Sequence, residues 1–204
     1  KRLKLNRIWL EVLNKMSKKT PSQDSNSDFI GVYDNVLSLD ECDELISFFE
    51  SSPKKRGVVW NGKESQQDDR IKKNIELNDA LVSKTPIIIK PLEECLIKYV
   101  NEYQSLTNIP AWNLIDTYTF QKLEKEGDGY KQWHTEHGPG KISNRILAWM
   151  FYLNDGSGTE FMHFPTVDAI MGRCIIWPSA FTHMHRSAPN KGLKYIMSGW
   201  FSFL

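Results

Sequence analysis

Apolar positions across residues 39–51 recur at helical spacing, with Cys42, Leu45, Ile46 and Phe49 on one face. Ser38 stands three residues before Glu41, the spacing of a capping box, so a helix is predicted over 39–51. A second helical stripe (Leu92, Cys95, Leu96, Tyr99, Val100, Tyr103) follows Pro86 and, more clearly, Pro91, which suits a first helical turn. From Trp112 the pattern changes. Leu114–Leu123, Asn144–Leu153, Ala169–Trp177 and Lys194–Phe203 are β-rich runs parted by Gly, Pro, Asn and Asp clusters. The run Ile146 to Leu153 is apolar on both faces, which predicts a central strand covered on each side. Phe29 to Val36 suits a first strand, and Val58-Val59-Trp60 a short one inside the charged loop 52–73. Helices first and many short strands afterwards predict an α+β chain with a β-sandwich or jelly-roll core.

At 204 residues the chain suits one domain with an appendage. Residues 1–19 carry seven Lys/Arg against Glu11 alone, and Leu5, Ile8, Trp9, Val12, Leu13 and Met16 fall at helical spacing. This predicts a basic amphipathic helix that packs on the body of the protein or contacts a partner or membrane surface. Residues 20–28 read as a polar linker, which sets the domain at 29–204. A net charge of +1 offers no argument for nucleic acid, and no apolar run approaches the roughly 20 residues of a membrane span. Three widely spaced cysteines, Cys42, Cys95 and Cys174, do not form a disulfide framework, so a cytoplasmic location is expected.

All five histidines lie between His134 and His185. His134 and Glu136 are two residues apart, and on a strand such positions share a face, so both can reach one ion. His185 follows 49 residues after Glu136, a separation that brings a third ligand onto a neighbouring strand. Two His and one carboxylate on one face of a metal form the ligand set of non-haem Fe(II) oxygenases. Lys194, nine residues beyond His185, sits in a strand too apolar to hold an ammonium without an anionic partner. An internal carboxylate or a carboxylate cosubstrate would each fill that need. The H-x-E of nucleobase deaminases also needs a later P-C-x-x-C, and Cys174 stands alone; no H-E-x-x-H is present either.

Taken in order, these pieces resemble the prolyl 4-hydroxylase type of Fe(II)/2-oxoglutarate-dependent dioxygenase, including the hypoxia-sensing prolyl hydroxylases. The likeness runs from Phe29–Phe49 through Gly129-Tyr130, His134-Thr135-Glu136, Arg145, Tyr152-Leu153-Asn154-Asp155 and Gly156 to Phe161, then Gly172 to Pro178, His185, Lys194-Tyr195 and Trp200. The resemblance implies a double-stranded β-helix (jelly-roll) core with supporting N-terminal helices. It implies Fe(II) on His134, Glu136 and His185, with His185 preferred to His183 because the step to Lys194 matches. It places Lys194, Tyr152 and Ser198 on the distal carboxylate of 2-oxoglutarate, and Arg145 and Trp200 at the substrate mouth, framed by 52–73 and 137–144. The implied reaction hydroxylates an aliphatic C–H of a protein, peptide or small molecule, a peptidyl proline first, releasing succinate and CO2 with ascorbate as a possible reductant.

Two departures stand out. The family's usual metal acid is Asp and here it is Glu136, one methylene longer. Where many relatives place a tyrosine before the His-x-acid pair this chain has Lys122-Leu123-Glu124, leaving Gln121 or Tyr118 to supply a cosubstrate hydrogen bond. The alternative function is a jelly-roll module that binds metal or ligand without turnover.

Overall fold

The computed structural model describes residues 28–60, 64–80 and 86–204, so the basic segment 1–19 and nearly all of the linker lie outside the described residues. Among the described residues, fourteen strands and two α-helices follow in order. β1 (Gly31–Tyr33) leads into α1 (Leu39–Ser51); β2 (Lys55–Arg56), β3 (Val59–Trp60), β4 (Ser65–Gln66), β5 (Lys72–Lys73) and β6 (Ile75–Ala80) precede α2 (Pro86–Glu102). β7 (Trp112–Leu123), β8 (Gly129–Tyr130), β9 (Arg145–Tyr152), β10 (Gly156–Phe161), β11 (Val167–Ala169), β12 (Cys174–Pro178), β13 (His185–Ser187) and β14 (Lys194–Phe203) complete it.

α1 begins as the capping box requires: Ser38 Oγ accepts from the Glu41 amide, and Glu41 Oε2 accepts from the Ser38 amide at 2.8 Å. α2 differs from expectation by starting at Pro86, with Pro91 inside it. Pro91 forfeits one helical hydrogen bond, but Ile88, Leu92, Cys95 and Leu96 continue one buried stripe across it, and that burial carries the helix through. The predicted strand at 29–36 shrinks to β1. The run Ala169–Trp177 divides into the end of β11 and β12, because Gly172 turns the chain at φ +77. A Cβ at Gly172 would stand 2.2 Å from the Leu37 carbonyl oxygen, so only glycine fits this crossing.

The major sheet runs β1-β12-β9-β14-β7-β6-β2 and the minor sheet β11-β10-β13, with every pairing antiparallel. This is the jelly-roll sandwich expected, with β9 central. Leu147, Trp149 and Phe151 face α1 and α2, while Ala148, Met150 and Tyr152 face the space between the sheets. β14 alternates likewise: Tyr195, Met197 and Phe201 join the helix-side core, and Lys194, Ile196, Ser198 and Trp200 line the cavity of the sandwich. Gly199 lets Trp149 lie flat against β14, since a Cβ there would meet its ring at 2.3 Å. No described helix is long and apolar enough to cross a membrane.

Candidate metal centre and its cavity

His134 and His185 face each other across a β-bridge, His134 N donating to His185 O at 3.0 Å and His185 N to His134 O at 2.9 Å. The strand expected for His134 to Glu136 reduces to this bridge, and Glu136 occupies the bend beyond it. Each imidazole is oriented by a carbonyl behind it: Gln132 O lies 3.1 Å from His134 Nδ1, and His183 O lies 3.0 Å from His185 Nδ1. A carbonyl only accepts, so both Nδ1 atoms carry protons and both Nε2 lone pairs turn inward. Glu136 Oε1 lies 3.7 Å from His134 Nε2 and 3.5 Å from His185 Nε2. Two atoms bound to one first-row cation at about 2.1 Å can stand up to about 4.2 Å apart, so one ion can touch Oε1 and either nitrogen. All three donor atoms lie within 4.8 Å of one another, the one such group of His, Cys, Asp and Glu among the described residues. The donor set fits a divalent metal of the imidazole-binding kind.

Electrostatics favour the form that binds. Burial pushes His134 below its ordinary value, which favours its neutral form. Burial alone would raise the Glu136 carboxyl, but without a metal the two imidazoles outweigh it by taking a proton on Nε2 and donating to Oε1, which holds the group well below the usual carboxylate range; an arriving cation takes the place of those protons. Tyr130 stacks on His134 with ring centroids 3.6 Å apart, covering one face of the site. His183 turns away, stacking on Phe164 with its Nε2 donating to Asp28 O at 2.7 Å. His137 Nε2 lies 2.8 Å from Ser143 O in the exposed loop, and His163 is exposed.

The triad opens into a cavity of about 330 Å³ that also reaches Lys194, Ser198, Thr159, Gln121, Arg145 and Trp200. Val58 and Ser65 of the loop 52–73 and Ile142 of the loop 137–144 stand on its wall, as expected for the mouth. Lys194 is 2% exposed; its Nζ donates to the carbonyls of Ser157 and Gly158 and lies 5.2 Å from the Tyr152 ring centroid. Among the described residues no carboxylate pairs with Lys194, and burial pushes its pKa down to about 7. Tyr152 is fully buried, and its hydroxyl meets Thr159 Oγ1 at 2.7 Å, so Thr159 stands on the cavity wall where Tyr152 was expected. Arg145 and Trp200 do stand on that wall, but their donors engage Glu136 Oε2, at 3.1 Å and 2.8 Å.

Gln121 and Tyr118 differ in parity along β7 and so face opposite ways. Tyr118 is buried in the helix-side core, while Gln121 faces the cavity, its Nε2 donating to Ser198 Oγ at 3.3 Å. Asn74 Nδ2 donates to Gln121 Oε1 at 2.6 Å and to Glu76 Oε1 at 3.2 Å, and Lys72 pairs with Glu76. Sequence reasoning passed over Thr159 and this Asn74–Glu76–Lys72 chain. The parity of Gln121 against the core residue Phe120 was the one signal available.

Residues 118–202 match the model of the 2OG-Fe(II) oxygenase superfamily, a span that holds the triad and Lys194. The chain also shares its fold with solved prolyl hydroxylases. A prolyl hydroxylase from Trichoplax adhaerens, solved with a hypoxia-inducible-factor oxygen degradation domain peptide, superposes with a TM-score of 0.67 at 17% identity, covering 98% of this chain and 91% of that one. A Pseudomonas putida prolyl-4-hydroxylase gives 0.60 at 13%, covering 86% and 92%. A viral collagen prolyl hydroxylase from Paramecium Bursaria Chlorella virus-1, in its 2-oxoglutarate complex, gives 0.57 at 16%, covering 87% and 98%. At these identities the likeness is one of fold. The search of curated protein sequences finds no match.

Proposed function

We propose that this oxygenase hydroxylates a prolyl residue of a peptide in an Fe(II)- and 2-oxoglutarate-dependent reaction. One observation carries the reading: a triad of two imidazoles and a carboxylate shares its cavity with a buried ammonium whose hydrogen bonds, among the described residues, go only to carbonyls. When bound, the iron supplies the activation of O2 that couples 2-oxoglutarate decarboxylation to C–H hydroxylation, giving succinate, CO2 and the alcohol.

The residues of the chain bind and orient. His134, Glu136 and His185 would hold Fe(II), with the tautomers set by Gln132 O and His183 O. Lys194 would receive the distal carboxylate of 2-oxoglutarate, a point charge for an anion in a dry site. Ser198 and Thr159, backed by Tyr152, would add hydroxyls at that end, and Gln121 a further donor. Gln121 is pinned with Oε1 toward Asn74, so its NH2 faces the cavity. Ascorbate would keep the iron reduced. Nothing in the cavity requires proline itself; support for a prolyl peptide comes from the fold neighbours, one solved with a peptide and two named as prolyl or collagen prolyl hydroxylases.

Incubation with Fe(II), 2-oxoglutarate and ascorbate tests the reading in two stages. Succinate released in step with a mass gain of one oxygen on a proline-containing peptide is the expected result. Succinate formed with no peptide modified, while another side chain or a small molecule gains oxygen, overturns the substrate; absence of metal binding overturns the oxygenase.

A further inference from the structure

We propose that Arg145 and Trp200 are positioning residues that fit this metal site to a glutamate, holding Glu136 Oε2 so that Oε1 alone faces the imidazoles. The inference rests on the metal reading of the triad given above. Glu136 divides its two oxygens. Oε1 stands 3.5 and 3.7 Å from the His185 and His134 Nε2 atoms, while Oε2 accepts from Trp200 Nε1 at 2.8 Å and from Arg145 Nη1 at 3.1 Å. Arg145 Nη1 also lies 3.3 Å from the Glu136 carbonyl, so it grips both ends of the residue.

The clamp is itself preorganised. The Arg145 guanidinium carbon lies 3.5 Å from the Trp200 ring centroid, a stacked cation–π contact that fixes both donors. Both residues come from neighbouring strands of the major sheet, Arg145 opening β9 and Trp200 pairing with Ala148 of the same strand. Glu136, by contrast, sits in a bend outside the ladder, between the His134 bridge and the His137 amide bonded to Ser179 O at 2.9 Å. Its carboxylate is therefore aimed by side chains of the rigid sheet rather than by its own backbone.

Length decides the fit. An aspartate would draw the carboxylate back by about 1.5 Å, one C–C bond, too far to keep both the bonds on Oε2 and the reach of Oε1 to the imidazoles. With Oε2 doubly engaged, the acid presents one oxygen to a metal. The same bonds occupy the Trp200 N–H and one guanidinium nitrogen of Arg145 that would otherwise be open to substrate.

Anaerobic Co(II) titration by calorimetry, on wild type, W200F, E136D and the double variant, tests this. W200F keeps an aromatic ring beneath Arg145 while removing the N–H along with part of the indole. Supporting partners of metal ligands are worth about 10–100-fold in affinity, so W200F should weaken Co(II) binding about 10-fold. In the E136D background the same substitution should change nothing, because aspartate no longer reaches residue 200. Additive losses, or a W200F affinity equal to wild type, overturn the clamp. Melting of the metal-free proteins accompanies the titration, and should W200F fail to fold, Arg145→Gln replaces it in the same cycle. Additive Co(II) losses that track lowered melting temperatures assign the pair to the fold instead, which also overturns the clamp. If wild type itself binds no Co(II), the metal reading fails and the clamp falls with it.

Discussion

Glu136 and Lys194 stand on the wall of one cavity, and the protein treats the two charges in opposite ways. Glu136 has partners on every side: two imidazoles at one oxygen, Arg145 and Trp200 at the other. Its charge is stabilised within the protein, and its carboxyl is held well below the usual range. Lys194 is more deeply buried, yet among the described residues it meets only the carbonyls of Ser157 and Gly158 and the Tyr152 ring, and its pKa is pushed down to about 7. A metal ligand must be a fixed anion before the ion arrives, so its charge is balanced in advance. A cation in the role proposed for Lys194, receiving an anionic cosubstrate, is better left short of a partner, because an internal carboxylate would compete for it.

Breaking the metal end should have the largest effect. His185→Ala removes a donor outright, and Fe(II) or Co(II) affinity should fall by more than the about 100-fold upper range of supporting-residue losses, read by anaerobic titration. At the other end, Lys194→Met should raise the dissociation constant for 2-oxoglutarate about 30-fold or more, since losing one partner of a desolvated ion pair costs about 2 kcal/mol or more. Metal affinity measured without cosubstrate should stay within a few-fold; equal loss of both would contradict the division between the two ends.

The two charges should also respond to neutralisation with opposite signs in the metal-free protein. Glu136→Gln leaves Arg145 without its counter-charge and should lower stability by about 1–3 kcal/mol. Lys194→Met should raise the melting temperature, and the gain should depend on pH. The folded pKa of Lys194, about 7, lies below its ordinary 10.5, so the unfolded chain holds the proton more tightly. The penalty of burying the ammonium is therefore complete below about pH 7 and is relieved as pH rises toward 10.5. Melting curves at pH 6 and pH 9 should show the Met variant's advantage shrinking; an advantage that grows with pH would refute the assignment. For the same reason the affinity of wild type for 2-oxoglutarate should fall as pH rises above about 7. Smallest of all, Ser198→Ala should weaken 2-oxoglutarate binding only a few-fold, about 1 kcal/mol for a neutral hydrogen bond.

Much of the scaffold could be anticipated from periodicity. The capped helix, the two-faced run that became β9 and the extent of β14 were all legible, because each depends on neighbours within a turn or a strand. The misreadings arose where distant contacts overrode local pattern: Pro91 inside α2, held by the buried stripe, and the run 169–177 cut in two by Gly172 packed against Leu37. The bend at Glu136 is of the same kind. The spacing of His134 and Glu136 suggested a shared strand face, but only one bridge forms, and the acid reaches the site because β9 and β14 hold it there.

The linear order of residues was enough to single out side chains that the fold gathers at one cavity, since a His-x-acid pair, a later His and a lysine in an apolar run are rare together and each type has few uses inside a core. The company those side chains keep was settled only by folding. Arg145 turns to the acid, Gln121 instead of Tyr118 faces the cavity, and among the described residues no carboxylate reaches Lys194. Such pairings are made across strands far apart in the chain, where spacing carries no information and packing alone chooses the neighbour.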